Sequence, residues 1–209
     1  KSLPNIKKRI LTSATDSVTI PDFIGLQDLQ TLNFLSDELL PEEKLKIQIV
    51  HSEDKDKVGI LSRLLCFLGG QSTIVFCNHR ESVERTSAML KEKGIANEFY
   101  HGAMEQQERD SALCKFRNGS NLILITTDLA ARGLDIPNIR YIIHYHLPHT
   151  EEIFTHRNGR TARMESSGTA IVLLSPEEKL PNYIDANSEV LDVPESSPLP
   201  EKPKWTTLF

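Results

Sequence analysis

The chain predicts an α/β fold, a mostly parallel sheet flanked by helices, on three observations. Short apolar runs of strand length alternate with longer segments whose apolar residues recur at helical spacing. Glycines stand where those helical segments should stop, at Gly94 and Gly119. Polar and charged clusters follow directly on the apolar runs, and the carboxyl ends of parallel strands are where such sheets bind ligands.

Taken in order, a basic opening leads to an apolar run at residues 9–11 and then to Thr12-Ser13-Ala14-Thr15, a strand that ends in small hydroxyl residues. Residues 36–44, SDELLPEEK, are acidic around Pro41 and read as a linker. Residues 1–43 are therefore expected to be the end of one domain plus its linker, and residues 44–181 a second domain. Leu45, Ile47 and Ile49 alternate with polar residues as in a strand, and Val58, Leu61, Leu64, Leu65 and Leu68 form a helical stripe. A continuous apolar strand follows at 73–77, a helix at about 81–93 closed by Gly94, and a strand at 95–100. Residues 106–116 read as a helix with Gly119 just beyond it, and 122–125, 141–143 and 169–174 as buried strands. No internal repeat is visible. Residues 182–209 are rich in Pro, Ser and Glu and read as an extended linker, with KWTTLF at their end resembling the first strand of a further, accessory domain.

Composition bounds the function. At 209 residues with 39% hydrophobic and 25% charged content, the chain can bury a core. No stretch approaches the roughly 18 apolar residues of a membrane helix, and the opening residues carry no apolar secretory core, so an intracellular, cytoplasmic protein is expected. Cys66, Cys77 and Cys114 are odd in number, widely spaced and never in a CxxC pair, which argues against disulfides and zinc. His144, His146 and His149 stand close together without a cysteine or carboxylate arranged beside them, and no metal site is expected. A net charge of −5 means that polyanion binding must come from a local arrangement of donors.

Five segments carry chemistry. IVFCNHRES, residues 74–82, runs from a strand into a helix whose first-turn N–H groups, with Asn78 and Ser82, offer donors to a phosphate, as many such turns do. In HGAMEQQER, residues 101–109, Gln106 and Arg109 lie three apart at a helix start and can reach one partner, or simply decorate a surface. LITTDLAARGLDIP, residues 124–137, delivers Thr126, Thr127 and Asp128 to the end of a buried strand. Ala130 and Ala131 keep the next turn small. Gly133 lets a ligand approach the backbone, and Asp135 can accept from a sugar hydroxyl. HRNGRTAR, residues 156–163, spaces Arg157, Arg160 and Arg163 three apart. That array fits either a solvated basic face or phosphate, which guanidinium matches in a two-pronged geometry. The fifth, Ser13-Ala14-Thr15, is uninformative alone.

In this order and at these separations the segments SAT, IVFCN, HGAMEQQER, TTDLAARGLDIP and HRNGRTAR closely resemble those of the DEAD-box family of ATP-dependent RNA helicases. Residues 44–181 resemble that family's C-terminal RecA-like domain and residues 1–43 the end of its N-terminal one. The resemblance implies ATP with Mg²⁺ as the fuel and RNA as the partner, an N-terminal RecA-like domain in cis, no membrane, and a monomer. It implies Arg160 and Arg163 as arginine fingers on the γ-phosphate, with His156 linking the site to SAT and to the other domain. It implies Asp135 on the ATP ribose beside Gly133, and Ser13, Ala14 and Thr15 coupling hydrolysis to strand separation. Gln106, Arg109, Thr127, Arg132, Gly133 and Asn78 would serve the RNA backbone. The phosphate loop, GxxxxGK[ST], is not among these residues, and with the DEAD carboxylates that hold Mg²⁺ it is expected on the N-terminal domain. The chain alone is therefore expected to be inactive. Two other classes share parts of the pattern, a non-catalytic RNA-binding scaffold and a DNA-directed helicase.

Three positions depart from the family pattern. Asn158 stands where Ile is usual, Ala162 where Gly is usual, and the stretch HYHLP carries His146 where NYDxP has Asp. His146 replaces a negative group by a neutral or positive one near the expected domain interface.

Overall fold

Residues 45–131, 134, 139–161 and 167–200 are described by the computed structural model. The expectations for Ser13, Ala14, Thr15, Arg132, Gly133, Asp135 and Arg163, for the linker at 36–44 and for KWTTLF lie outside the described residues. Within them run β1 (Leu45–His51), α1 (Val58–Leu68), β2 (Thr73–Phe76), α2 (Arg80–Glu92), β3 (Glu98–Tyr100) and α3 (Gln106–Arg117). There follow β4 (Ile123–Thr126), α4 (Asp128–Ala131), β5 (Tyr141–His144), α5 (Glu151–Asn158), β6 (Gly168–Leu174) and β7 (Glu189–Val190).

The strands make one seven-stranded sheet in the order β3-β4-β2-β5-β6-β1-β7, every pairing parallel. β2, β4 and β6 are buried along their whole length, as continuous apolar runs must be when helices cover both faces of a parallel sheet. Successive side chains alternate between the faces. Val75, Ile125, Ile143, Ile171 and Leu173 pack under α1 and α2, while Ile74, Phe76, Leu124 and Ile142 pack under α3 through Leu113 and Phe116. Further along this second face, Val172, Leu174 and Ile49 pack on Phe154 of α5.

The helices end where their sequences say. Gly94, at φ +80°, closes α2: its N–H donates to Lys91 O at 2.9 Å and the Ile95 N–H to Leu90 O at 2.9 Å, which satisfies two carbonyls of the last turn. Ile95 then enters the core at 1% exposure. At the start of α3, Glu105 and Glu108 form a capping box.

α5 and β7 were not expected from sequence. The stretch read as a linker after residue 181 lies along the domain. β7 pairs with β1, Leu191 N donates to Ile49 O at 2.8 Å, and Leu191 and Val193 pack against the core. Ile184 is 3% exposed within the cluster around Phe154.

Candidate functional site

β2, β4 and β5 lie side by side at the centre of the sheet, so the residues that follow them emerge together at one edge. β2 continues through Cys77 into Asn78, with Cys77 N bonded to Thr126 O at 2.9 Å. β4 leads through the half-buried Thr127 into Asp128, and one helical turn forms as Ala131 N reaches Thr127 O at 3.0 Å. β5 leads into Tyr145 and His146. Facing these three ends stands α5, capped at its start by Thr150, whose hydroxyl accepts from Ile153 N at 3.3 Å.

α5 has two distinct faces. Phe154, Arg157 and Asn158, at i, i+3 and i+4, point into the domain and are buried. Arg157 is 2% exposed and still fully bonded. Its Nε donates to Asp128 Oδ1 at 2.5 Å and its Nη2 to Asp128 Oδ2 at 2.7 Å, a two-pronged pair. Nη2 also donates to Asn78 Oδ1 at 2.9 Å and Nη1 to the His146 carbonyl at 2.8 Å, while the guanidinium lies 5.1 Å from the Phe76 ring centroid. One buried cation thus ties together the ends of β2, β4 and β5.

Beside it His144, 0% exposed, places Nε2 2.9 Å from Asn158 Oδ1 and Nδ1 3.5 Å from Arg157 Nη1. Burial, with the Arg157 charge beside it, pushes the imidazole down to about 3. A neutral ring with its proton on Nε2 satisfies both contacts, since it donates to Asn158 and turns a lone pair toward Arg157. Asn158, unusual for the family, has a polar partner on β5. His146 is pushed down to about 4 by burial and then by the Lys57 charge, so it is neutral at pH 7. Its Nδ1 accepts from Asn78 N at 3.2 Å.

The other side of α5 faces outward. His156 is exposed, and the half-buried Arg160, which follows Gly159 past the helix end, donates from Nη1 to Leu134 O at 3.0 Å. His156 and Arg160 line a shallow cleft with Phe76, Asp128, Ala131, Ile153 and Arg157, about 20 Å³ in volume, room for a water and not for a nucleotide. Thr161 fixes the departing chain, its Oγ1 donating to Ile139 O at 2.5 Å.

The sequence-predicted residues therefore separate. Arg157 is not one of three equivalent phosphate arginines, because it finds its anion, Asp128, within the domain. Asn78 has its amide committed to Arg157, to Leu147 O at 3.1 Å and to His149 Nε2 at 3.4 Å. Gln106 and Arg109 do come together at the start of α3, hydrogen-bonded to each other, with Gln106 also on Asp110 Oδ1 at 2.8 Å and Arg109 6.0 Å from the Tyr100 ring centroid. Sequence reasoning missed Asp128, His144 and Asn158 as the supports of this site. The spacing of Phe154, Arg157 and Asn158 was the available signal, had α5 been read as a helix.

Residues 56–165 match the family described as the helicase conserved C-terminal domain. Over 177 residues the chain is 36% identical to the ATP-dependent RNA helicase DbpA of Escherichia coli, covering 84% of this chain and 38% of that protein. It is 39% identical over 145 residues to the DEAD-box ATP-dependent RNA helicase 13 of Oryza sativa subsp. japonica, covering 69% of this chain and 17% of that one. The chain thus spans well under half the length of either relative. Among solved structures it resembles the E. coli DEAD-box protein SrmB bound to regulator of ribonuclease activity A, at 30% identity and a TM-score of 0.66, over 77% of this chain and 98% of that one. It also resembles S. cerevisiae Dbp5 bound to RNA and ADP BeF3, at 30% identity and a TM-score of 0.57, over 62% of this chain and 35% of that one.

Proposed function

Because this chain belongs to the DEAD-box helicases, as their C-terminal RecA-like domain, we propose that it is the arginine-finger half of an ATP-dependent RNA helicase. The observation that carries this reading is the division of labour between α5 and the residues just past its end. Arg157 is neutralised inside the domain by Asp128, while His156 and Arg160 border the outward cleft. A guanidinium held at a domain surface just past the end of a packed helix is suited to stabilise charge on a phosphoryl group presented by a second domain.

In this reading Arg160 and Arg163 meet the γ-phosphate of ATP held by an N-terminal RecA-like domain in cis, and His156 joins the two domains. Asp135, beside Gly133, takes the ribose. ATP supplies the transferable phosphoryl group. The described residues do not fit a Mg²⁺ site: Asp128, the carboxylate of the cleft, is engaged by Arg157, and no cluster of three metal-binding side chains occurs among the described residues. Residues 1–43 are read as the end of the N-terminal domain with its hinge, in which Ser13, Ala14 and Thr15 couple hydrolysis to RNA. Gln106, Arg109, Thr127, Arg132 and Gly133 contact the sugar-phosphate backbone, which carries no sequence information and suits a protein of acidic composition. Asn78, whose amide oxygen also holds Arg157, belongs with this group. Closure of the two domains over ATP and a single strand would bend the RNA and separate its partner, and hydrolysis would reopen the cleft. Among the described residues no helix is long and apolar enough to cross a membrane. The setting we propose is the cytoplasm.

The test is ATP hydrolysis by the full-length protein with and without RNA, compared with this chain alone. RNA-stimulated turnover by the full-length protein and none by the chain is expected. Stimulation by DNA in preference to RNA would make it a DNA helicase, and no turnover at all would make it a scaffold.

A further inference from the structure

Outside the matched helicase region, which ends at residue 165, the chain returns to α5. Ile184 is 3% exposed and packs in one cluster with Phe154, Ile49, Val172 and Leu174, with Leu147, Leu180 and Tyr183 around it. The Tyr183 ring lies 5.6 Å from the Phe154 ring, and the Tyr183 hydroxyl donates to Pro148 O, two residues before the Thr150 cap of α5. On its other side Phe154 stacks on His144 at 4.8 Å. Phe154 is therefore held between an imidazole from the sheet and a phenol from the later segment. That segment is itself anchored, because β7 pairs with β1 and Gln48 Nε2 donates to Glu189 Oε2 at 3.0 Å.

Eight residues are too few to hold a helix in water, so the position of α5 is set by what packs against it. Its one buried apolar side chain is Phe154. Arg160 follows two residues past the end of α5, and a shift of the helix is a shift of the arginine. We propose that Tyr183 and Ile184 are positioning residues for Arg160, acting through Phe154 as a buttress that lies outside the matched helicase region. This rests on the function proposed for Arg160 above. A catalytic group displaced by about 1 Å loses on the order of 10²-fold in rate, so a loosened buttress should lower turnover by roughly 10-fold to 10²-fold.

The experiment uses the full-length protein with Ile184→Ala, Tyr183→Phe and Ile184→Leu, each in the parent and in an Arg160→Ala background. Steady-state RNA-stimulated ATPase is measured together with amide hydrogen exchange of residues 154–159. Ile184→Ala should lower kcat with KM for ATP and RNA affinity unchanged, Tyr183→Phe should lower it less, and Ile184→Leu should restore it. The loss should vanish in the Arg160→Ala background, since a displaced finger cannot matter where none exists. Exchange across α5 should accelerate with Ile184→Ala. An equal loss of kcat in both backgrounds, or unchanged α5 exchange, would overturn the buttress. If Arg160→Ala itself leaves kcat unchanged, the proposed function fails, and the exchange measurement decides the buttress by itself, acceleration supporting it and no change refuting it.

Discussion

Replacing Asp128 with Ala removes the anion of the buried pair and leaves Arg157 in place. Arg157 is 2% exposed and donates two of its five side-chain hydrogen bonds to Asp128. What remains are neutral acceptors, the His146 carbonyl, the Asn78 amide oxygen and the His144 ring nitrogen. A guanidinium cannot escape by losing its proton, so the penalty is borne in full. Breaking a buried pair from one side costs about 3–5 kcal/mol. The Asp128 side chain is 27% exposed, so water can reach the vacated position and the lower end, about 3 kcal/mol, applies. With a urea slope of about 1–3 kcal/mol/M, the unfolding midpoint should fall by roughly 1–3 M at constant slope. Equilibrium urea unfolding of this chain followed by circular dichroism measures it. The loss should persist at about 1 M salt, since buried charges are poorly screened. A loss below about 1 kcal/mol, the range of exposed pairs, would refute the view of Arg157 as a buried hub.

Other consequences follow from the same contacts. His144 is held at about 3 in the fold against 6.5 in an unfolded chain, so the unfolded state gains protons first on acidification. Stability from the neutral ring is whole above pH 6.5 and is lost as pH falls toward 3. His144→Asn should therefore flatten the dependence of unfolding free energy on pH between about 7 and 5 relative to the parent, with the slope from His146 retained; parallel curves would mean that His144 is not buried neutral. Burial pushes the Cys77 thiol up to about 12, whereas Cys114 is exposed. Iodoacetamide should label Cys114 in the native protein and Cys77 only on unfolding, and equal native rates would contradict that packing. Gly94→Ala places a side chain at φ +80° and should destabilise by about 1 kcal/mol in the same urea assay; no change would mean that the turn relaxes freely.

The sheet was legible because strands buried on both faces read as apolar runs, and because Gly94 and Gly119 can close helices at positive φ. α5 was not, since its buried face holds one apolar residue, Phe154, beside Arg157 and Asn158. Spacing alone grouped Arg157 with Arg160 and Arg163 as one array. The helix stops at Asn158, and the partner that decides the fate of Arg157, Asp128, is 29 residues earlier in the chain. No local pattern reports such a pair. β7 escaped notice because two residues in a Pro-, Ser- and Glu-rich stretch carry no periodicity, and only the open edge of β1 gives them a reason to pair. The family motifs named the chemistry; the tertiary partners divided the arginines into one that holds the site and one that faces out of it.

That division is tested most directly by the steady-state kinetics of Arg160→Ala in the full-length protein. If Arg160 acts on the transferring phosphoryl group, kcat for RNA-stimulated ATP hydrolysis should fall by roughly 10³-fold or more while KM for ATP barely moves. A large rise in KM with kcat retained would contradict the account and make Arg160 a ground-state contact to the nucleotide.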